Sequence, residues 1–321
     1  MSEKTNIKPI SDRTNKKAIE ILKDKGLIAF PTETVYGIGG DATSDKAVAS
    51  IFSIKGRPQF NPLISHVDKI SDLEKYGSPT KLAYKIAENF WPGPLTMVIE
   101  RHENSKISYL CSAGLESIAI RIPDNKNLLK ILSEFGRPIA APSANRSGKV
   151  SPTLPTHVYE EFGNELKLII DGGPTQKGIE STVIDVRNES LKILRPGPIT
   201  SEMIENITKV KPKIEYFSSS PESPGMLKKH YSPNAKIILN SPLTDCIDAF
   251  LGYGGNSPPK NFKGDYLNLS KKGDLEEAAS NLFKMLRILD KKNPNVIYVS
   301  PIPQYGIGEA INDRLLRASE D

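Results

Sequence analysis

Lys55, Arg57, Asn61 and His66 crowd into one short stretch, KGRPQFNPLISH. In an extended chain residues two apart point to one side, so an ammonium and a guanidinium would face the same space. Such a pair suits an anionic ligand, although each charge alone reads as solvated surface and His66 reads equally well as a structural histidine. Other residues of the same character recur downstream. Arg121 sits inside SIAIRI, which starts at Ser117, and a charge among apolar neighbours needs a partner such as a ligand carboxylate or phosphate. APSANRSG sets Ser143 and Asn145 two apart among small residues that let a ligand approach the backbone. Arg195 leaves a predicted hairpin at RPGP, and PGMLKKHYSP places His230 and Tyr231 between turn-formers, an aromatic pair that a plain linker does not need.

These residues need elements to hold them. The apolar run Leu27 to Phe30 predicts a buried strand that stops at Pro31, and Thr32, Glu33, Thr34 and Tyr36 then crowd polar groups ahead of Gly37, Gly39 and Gly40. Ser44 can cap a helix carrying Ala47, Val48, Ile51 and Phe52 that frays near Gly56, which releases Lys55 and Arg57 together. The spacing predicts a helix over Asn15 to Lys25 stopped by Gly26, one started by Ser78 and Pro79, and one capped by Asp124. Strands are expected at Leu95 to Ile99, Ser117 to Ile122 and Leu166 to Ile170, with a hairpin over 178–185 and Leu191 to Leu194. Their irregular mixing points to an α/β fold with a twisted mixed sheet flanked by helices. Near Thr208 the chain turns rich in Ser, Pro and Lys, which marks a linker. A smaller α/β unit follows: strand Ala235 to Leu239, helices Leu243 to Leu251 and Leu275 to Leu289, strand Val296 to Val299, and helix Gly308 to Ala318. The expected division is 12–200, 201–234 and 235–321.

Composition narrows the function classes. At 321 residues, with 38% hydrophobic and 25% charged, the chain has the make-up of an ordinary folded protein. Its apolar runs fall far short of the roughly 20 residues a transmembrane helix needs, and the polar start lacks a signal-peptide core, so no membrane contact and a cytoplasmic location are expected. Cys111 and Cys246 have neither the number nor the spacing for a disulfide framework or a zinc site. The net charge of +5 favours an anionic ligand only weakly and does not make an RNA-binding stripe. No GxxxxGK[ST] loop, HExxH, paired CxxC or GxSxG elbow occurs, and GIGEA at Gly306 lacks the third glycine of a dinucleotide site.

Taken together, FPTETVYGIGGDA, the KGR of Lys55 to Arg57, the SAN of Ser143 to Asn145, IESTVID, LRPG, PGMLKKHYSP and the closing GIGEAINDRLLRA resemble the threonylcarbamoyl-AMP synthase family in its long form. The resemblance covers nearly the whole chain. Gly40 where alanine is frequent, Pro198 inside RPGP and a short C-terminal domain depart from the pattern. The resemblance implies a YrdC-like catalytic domain, a linker and a small Rossmann-like domain. It implies synthesis of threonylcarbamoyl-AMP and pyrophosphate from L-threonine, bicarbonate or CO2 and ATP, for threonylcarbamoyladenosine in tRNA. Carried over by position, it places Thr34, His66, Arg121, Ala141 and Ser181 around threonine. It places Arg57, Asn61, Ser117, Ser143, Ser151, Arg195 and Tyr231 around ATP. Lys55, Arg57, Ser143 and Asn145 form the KxR and SxN signatures, assigned to phosphate and carbamate charge. Mg²⁺ is expected on the ATP phosphates, a tRNA threonylcarbamoyl transferase downstream, and direct tRNA contact only weakly. Residues 208–234 are expected to fold across the cleft as a lid through Tyr231. Two rival readings are an RNA-binding module and a carbamoyl-adenylate domain of metallocentre assembly; the zinc-finger and acylphosphatase segments usual in the latter are missing.

Overall fold

The structure, a computed structural model, describes residues 6–188, 191–215, 230–242, 248–255, 258 and 262–320. The strands of the first unit are β1 (Ile7–Pro9), β2 (Ile28–Pro31), β3 (Tyr36–Asp41), β4 (Ile64–His66), β5 (Gly77–Ser78), β6 (Leu95–Arg101), β7 (Ser117–Arg121), β8 (Ile139–Ala140), β9 (Ile169–Asp171), β10 (Thr182–Asp185), β11 (Lys192–Arg195) and β12 (Lys213–Ile214). Its helices are α1 (Asp12–Lys23), α2 (Asp45–Lys55), α3 (Asp72–Tyr76), α4 (Lys81–Phe90), α5 (Lys126–Phe135), α6 (Pro155–Phe162) and α7 (Ser201–Thr208). The strands form one mixed sheet in the order β1-β9-β2-β3-β8-β4-β7-β6-β10-β11-β12, with β5 on β6.

Period-two alternation decides what faces the site. On β7, Ile118 and Ile120 enter the core beneath α2 and α4, together with Leu95, Met97 and Ile99 of β6. Ala119 faces the other way with Ile64 and Val98, and Arg121 shares its side. A strand buried on both faces therefore delivers a guanidinium to the side where apolar cover is thin. Ser44 caps α2 by accepting from the Ala47 amide, and Gly56 closes the helix at φ +61, as its residue type favours.

Several expectations shift by a residue or an element. Lys25 at φ +61, not Gly26, ends the turn after α1. Thr80 caps α4 and Asn125 caps α5, where Ser78 and Asp124 were expected. Residues 201–214, assigned to the linker in the expected division, instead add α7 and β12: Ile204 enters the main core and β12 pairs with β11. Within the expected lid, residues 216–229 lie outside the described residues. Cys111 is buried and free, and Cys246 lies outside the described residues.

The second unit comprises β13 (Lys236–Ile238), β14 (Ala249–Gly252), β15 (Asp265–Asn268), α8 (Leu275–Asp290), β16 (Val296–Val299) and α9 (Gly308–Ser319). Its sheet runs β13-β16-β14-β15 with every pair parallel. The helix expected over Leu243 to Leu251 is corrected to strand β14, because Ala249 and Leu251 pair with β15 and β16 and are buried on both faces; residues 243–247 lie outside the described residues. The core of this unit runs on into the first through Val35, Val150 and Ile179, and Arg287–Glu161 and Arg314–Glu180 pairs at 2.8 and 2.9 Å cross the boundary.

Candidate active site

A cleft opens in the first unit, its far side closed by residues at the end of the linker. The β2–β3 turn supplies Thr32, Thr34 and Val35, β4 supplies Ile64 and His66, and β7 supplies Arg121. Arg57 enters after α2, Ala141 to Ser143 after β8, Glu180 and Ser181 before β10, and Arg195 from the end of β11. His230 and Tyr231 close it from the far end of the linker. Thr34, Arg57, His66, Arg121, Ala141, Ser143, Ser181, Arg195 and Tyr231 were expected at a site, and the fold brings all of them to this one wall.

Lys55, Asn61, Ser117, Asn145 and Ser151 do not line the cleft. The Lys55 ammonium donates to the Ser143 carbonyl at 2.6 Å and to the Asn145 carbonyl, while its own carbonyl accepts from the Ser147 amide at 2.8 Å. The extended geometry assumed for a facing pair does not arise, because Lys55 is still helical. Burial and the nearby Arg57 draw its pKa well below the ordinary lysine value. These bonds staple the Ser143–Ser147 loop to the end of α2. Asn61 orients Arg57, whose Nη2 donates to its Oδ1 at 2.6 Å and to the Pro62 carbonyl at 2.8 Å. Asn145 donates to the carbonyls of Arg146 and Lys149, Ser151 donates to Glu180, and Ser117 is buried at the start of β7.

Three guanidinium groups define the electrostatics. Arg121 donates to Glu33 Oε1 at 2.7 Å and to Thr34 Oγ1 at 3.0 Å, so the partner expected from a ligand is supplied partly by the chain itself. Arg195 grips the Ser181 carbonyl through Nε and Nη2 at 3.0 and 2.9 Å and the Ser181 hydroxyl at 3.1 Å. Burial, then Arg195, brings Arg57 down to about 9, which leaves it a cation at neutral pH. His66 is held near 3 by burial and by Arg121, so its ring is neutral. Its Nδ1 lies 3.3 Å from the Ile139 carbonyl, which assigns the proton to Nδ1 and leaves Nε2 as an acceptor. Burial alone would raise Glu180, yet Arg314, Arg195 and the Ser151 hydroxyl bring it to about 2. The Tyr231 hydroxyl and His230 Nδ1 are buried without a hydrogen-bond partner among the described residues, as expected of atoms that meet a ligand.

Glu180, His230 and Thr32 also line the cleft; His230 and Thr32 stood out in the sequence without being assigned a ligand, and Glu180 was not singled out. Glu180 was signalled by its place beside Ser181 in IESTVID; Thr32 holds Thr34 through a 2.7 Å hydroxyl contact that leaves no trace in spacing. Among the described residues no group of three or more His, Cys, Asp and Glu side chains is placed to hold a metal.

Comparison with known proteins fits this geometry. A profile of the Sua5/YciO/YrdC family, described as "Telomere recombination", matches residues 20–197, and one described as "Threonylcarbamoyl-AMP synthase, C-terminal domain" matches residues 199–320. The threonylcarbamoyl-AMP synthase of Pyrococcus abyssi is 38% identical over 94% of this chain and 93% of its own length. That of Bacillus subtilis is 37% identical over 94% of this chain and 92% of its own. The crystal structure of P. abyssi Sua5 complexed with L-threonine superposes with a TM-score of 0.87 at 34% identity, covering 98% of this chain and 96% of that one.

Proposed function

The chain belongs to the threonylcarbamoyl-AMP synthase family, and we propose from that premise that its cleft holds L-threonine and ATP side by side and joins them through a carboxylate drawn from bicarbonate or CO2. The protein is a synthase of nucleotidyl-transfer type. The threonine nitrogen attacks CO2 and loses a proton, giving a carbamate; a carbamate oxygen then attacks the α-phosphorus of ATP, and pyrophosphate leaves. Carboxylate, carbamate and triphosphate are all anions, so the chemistry needs positioned cations and donors more than a strong base.

The observation that carries this reading is the convergence of Arg57, Arg121 and Arg195 on one cleft. Arg121, anchored by Glu33, offers a guanidinium edge to the threonine carboxylate, and Thr34 and His66 Nε2 suit its hydroxyl and amine. Arg57, braced by Asn61, and Arg195 meet phosphate charge, and the Tyr231 ring closes over the nucleotide. Lys55 and Asn145 act by holding the loop that presents Ser143. Mg²⁺, if bound with the nucleotide, would neutralise phosphate charge; the carboxylates beside the cleft, Glu33 and Glu180, are engaged with Arg121 and Arg314, so phosphate oxygens and water would be its ligands. Delivery of the product to a tRNA-modifying transferase completes the proposal. Pyrophosphate release measured with ATP, bicarbonate, Mg²⁺ and each amino acid in turn tests it. Release that needs both threonine and bicarbonate is expected; release indifferent to either makes the protein a nucleotidase.

A further inference from the structure

Arg314 of α9 is fully buried, and its contacts lead into the cleft. Its Nε donates to Glu180 Oε2 at 2.9 Å, its Nη1 to Asp313 Oδ2 at 2.6 Å, and its guanidinium carbon lies 5.3 Å from the centre of the Tyr231 ring. Asp313 accepts in turn from Arg317 Nε at 3.0 Å, and the Arg317 carbonyl accepts from the His230 amide at 3.3 Å. Tyr231 is stacked on Phe283 of α8, with ring centres 5.3 Å apart. Glu180, His230 and Tyr231, all lining the cleft, are thus held by the second unit.

Mere adhesion between the units does not require this arrangement. Elsewhere the same boundary joins apolar packing of Val35, Val150 and Ile179 to ion pairs nearer the surface, Arg287–Glu161 and Lys291–Glu160, which adhere without burying a row of charges. A buried row of alternating charges, Glu180, Arg314, Asp313 and Arg317, is a poorer adhesive than apolar side chains of equal volume, because each ion must first be stripped of water. The row makes sense by where it ends, on a carboxylate in the cleft wall next to Ser181.

We propose that Arg314 is a positioning residue of the active site, fixing the Glu180 carboxylate and the Tyr231 ring against the bound substrates, so that the C-terminal unit is a working part of the cleft. The carboxylate so placed faces the incoming amino acid, whose ammonium group is the one cationic part of an otherwise anionic reactant set. This inference rests on the synthase reading above.

The groups that face Glu180 are Arg195 of β11, Ser151, Lys55 of α2, His230 and Tyr231 at the end of the linker, and Arg314 and Asp313 of α9. With Arg314 present Glu180 stays ionised down to about 2, and His230 titrates near 3, so neither changes charge between weakly acidic and weakly alkaline pH. Removing the Arg314 guanidinium takes away the largest charge that offsets burial, so the Glu180 carboxyl rises from about 2 even with Arg195 and Ser151 still beside it. The test is the pH profile of threonine-dependent pyrophosphate release by full-length wild type, Arg314→Gln, Arg314→Lys and the double variant Glu180→Gln/Arg314→Gln, each checked for wild-type circular dichroism. Arg314→Gln is expected to lose about tenfold or more near pH 6 and less near pH 8.5, an acid limb absent from wild type. Arg314→Lys, which keeps the cation, recovers part of the loss, and the double variant loses the acid limb because the titrating carboxyl is gone. If Arg314→Gln does not fold, Arg314→Lys carries the comparison, with a shallower acid limb expected. Unchanged rates, an equal loss at every pH, or an acid limb that survives in the double variant overturns the proposal. Wild type without threonine-dependent release overturns the synthase reading instead, and this inference with it.

Discussion

Lys55 and Arg57 are separated by one glycine, and the left-handed turn at Gly56 sends them to different tasks. Arg57 reaches the cleft; Lys55 is spent on two carbonyls of the loop that carries Ser143. Arg57→Ala should therefore lower kcat/KM by about 100-fold or more while the melting temperature falls little, as for loss of a transition-state donor. Lys55→Met, of similar length but without donors, should cost stability and activity together, because two buried carbonyls lose their partner. Steady-state kinetics alongside thermal melting separates the two, and a Lys55→Met protein of unchanged stability would return the ammonium to the chemistry. At this scale the sequence was readable wherever the argument was chemical: a charge inside SIAIRI had to meet something polar, and Arg121 does. What it met was not readable, because Glu33 lies 88 positions away and only the fold joins them.

Among the elements, those announced by local chemistry came out close to expectation. Ser44, the apolar positions of α2 and Gly56 agree with one another, and the helix runs between them. Where two capping residues stood close together, as Asp124 and Asn125 or Ser78 and Thr80, spacing could not choose between them; in the fold Asn125 and Thr80 accept from the amides of Leu128 and Ala83. β14 was mistaken for a helix because a short apolar run buried on both faces carries no alternation, and its partners β15 and β16 are distant in sequence. The composition change near Thr208 came too early to mark a boundary, since β12, beyond it, still pairs with β11 of the first unit. Gly178 offers the sharpest test at this level. Its φ is +71, and a Cβ there would sit 2.4 Å from the Ser280 carbonyl oxygen and 2.5 Å from the Ser280 Cα, all backbone of α8. Gly178→Ala should destabilise the contact between the units by about 3 kcal/mol or more and speed proteolysis between them. Wild-type resistance to protease in that variant would show that α8 does not press on this turn.

Across the whole molecule, buried ionisable groups couple folding to pH. His66, His157 and His230 are each pushed from 6.5 to about 3, chiefly by burial, and are neutral in the folded chain. Below their unfolded pKa the unfolded chain takes up protons that the folded one refuses, so stability falls as pH drops from about 6.5 towards 3. Glu180, lowered from 4.5 to about 2, adds to the same acid side: its contribution is complete above 4.5 and fades as pH falls through 2. The melting temperature should hold near neutrality and drop by several degrees by about pH 5, where each histidine costs about 2 kcal/mol. His157→Asn, remote from the cleft, should make that slope shallower, and an unaltered slope would remove His157 from the account. The two-unit architecture could be read from the sequence, but not that the smaller unit grips residues of the cleft wall, since that depends on contacts between α9 and residue 180. In the proposed reaction threonine and ATP meet under Arg57, Arg121 and Arg195. Its most direct measurement is mass spectrometry of the nucleotide product after incubation with isotope-labelled bicarbonate, L-threonine, ATP and Mg²⁺. The account predicts one adenylate carrying both the labelled carbon and the threonine mass, formed by wild type and lost in Arg57→Ala and Arg121→Ala; AMP or ADP free of both label and threonine would contradict it.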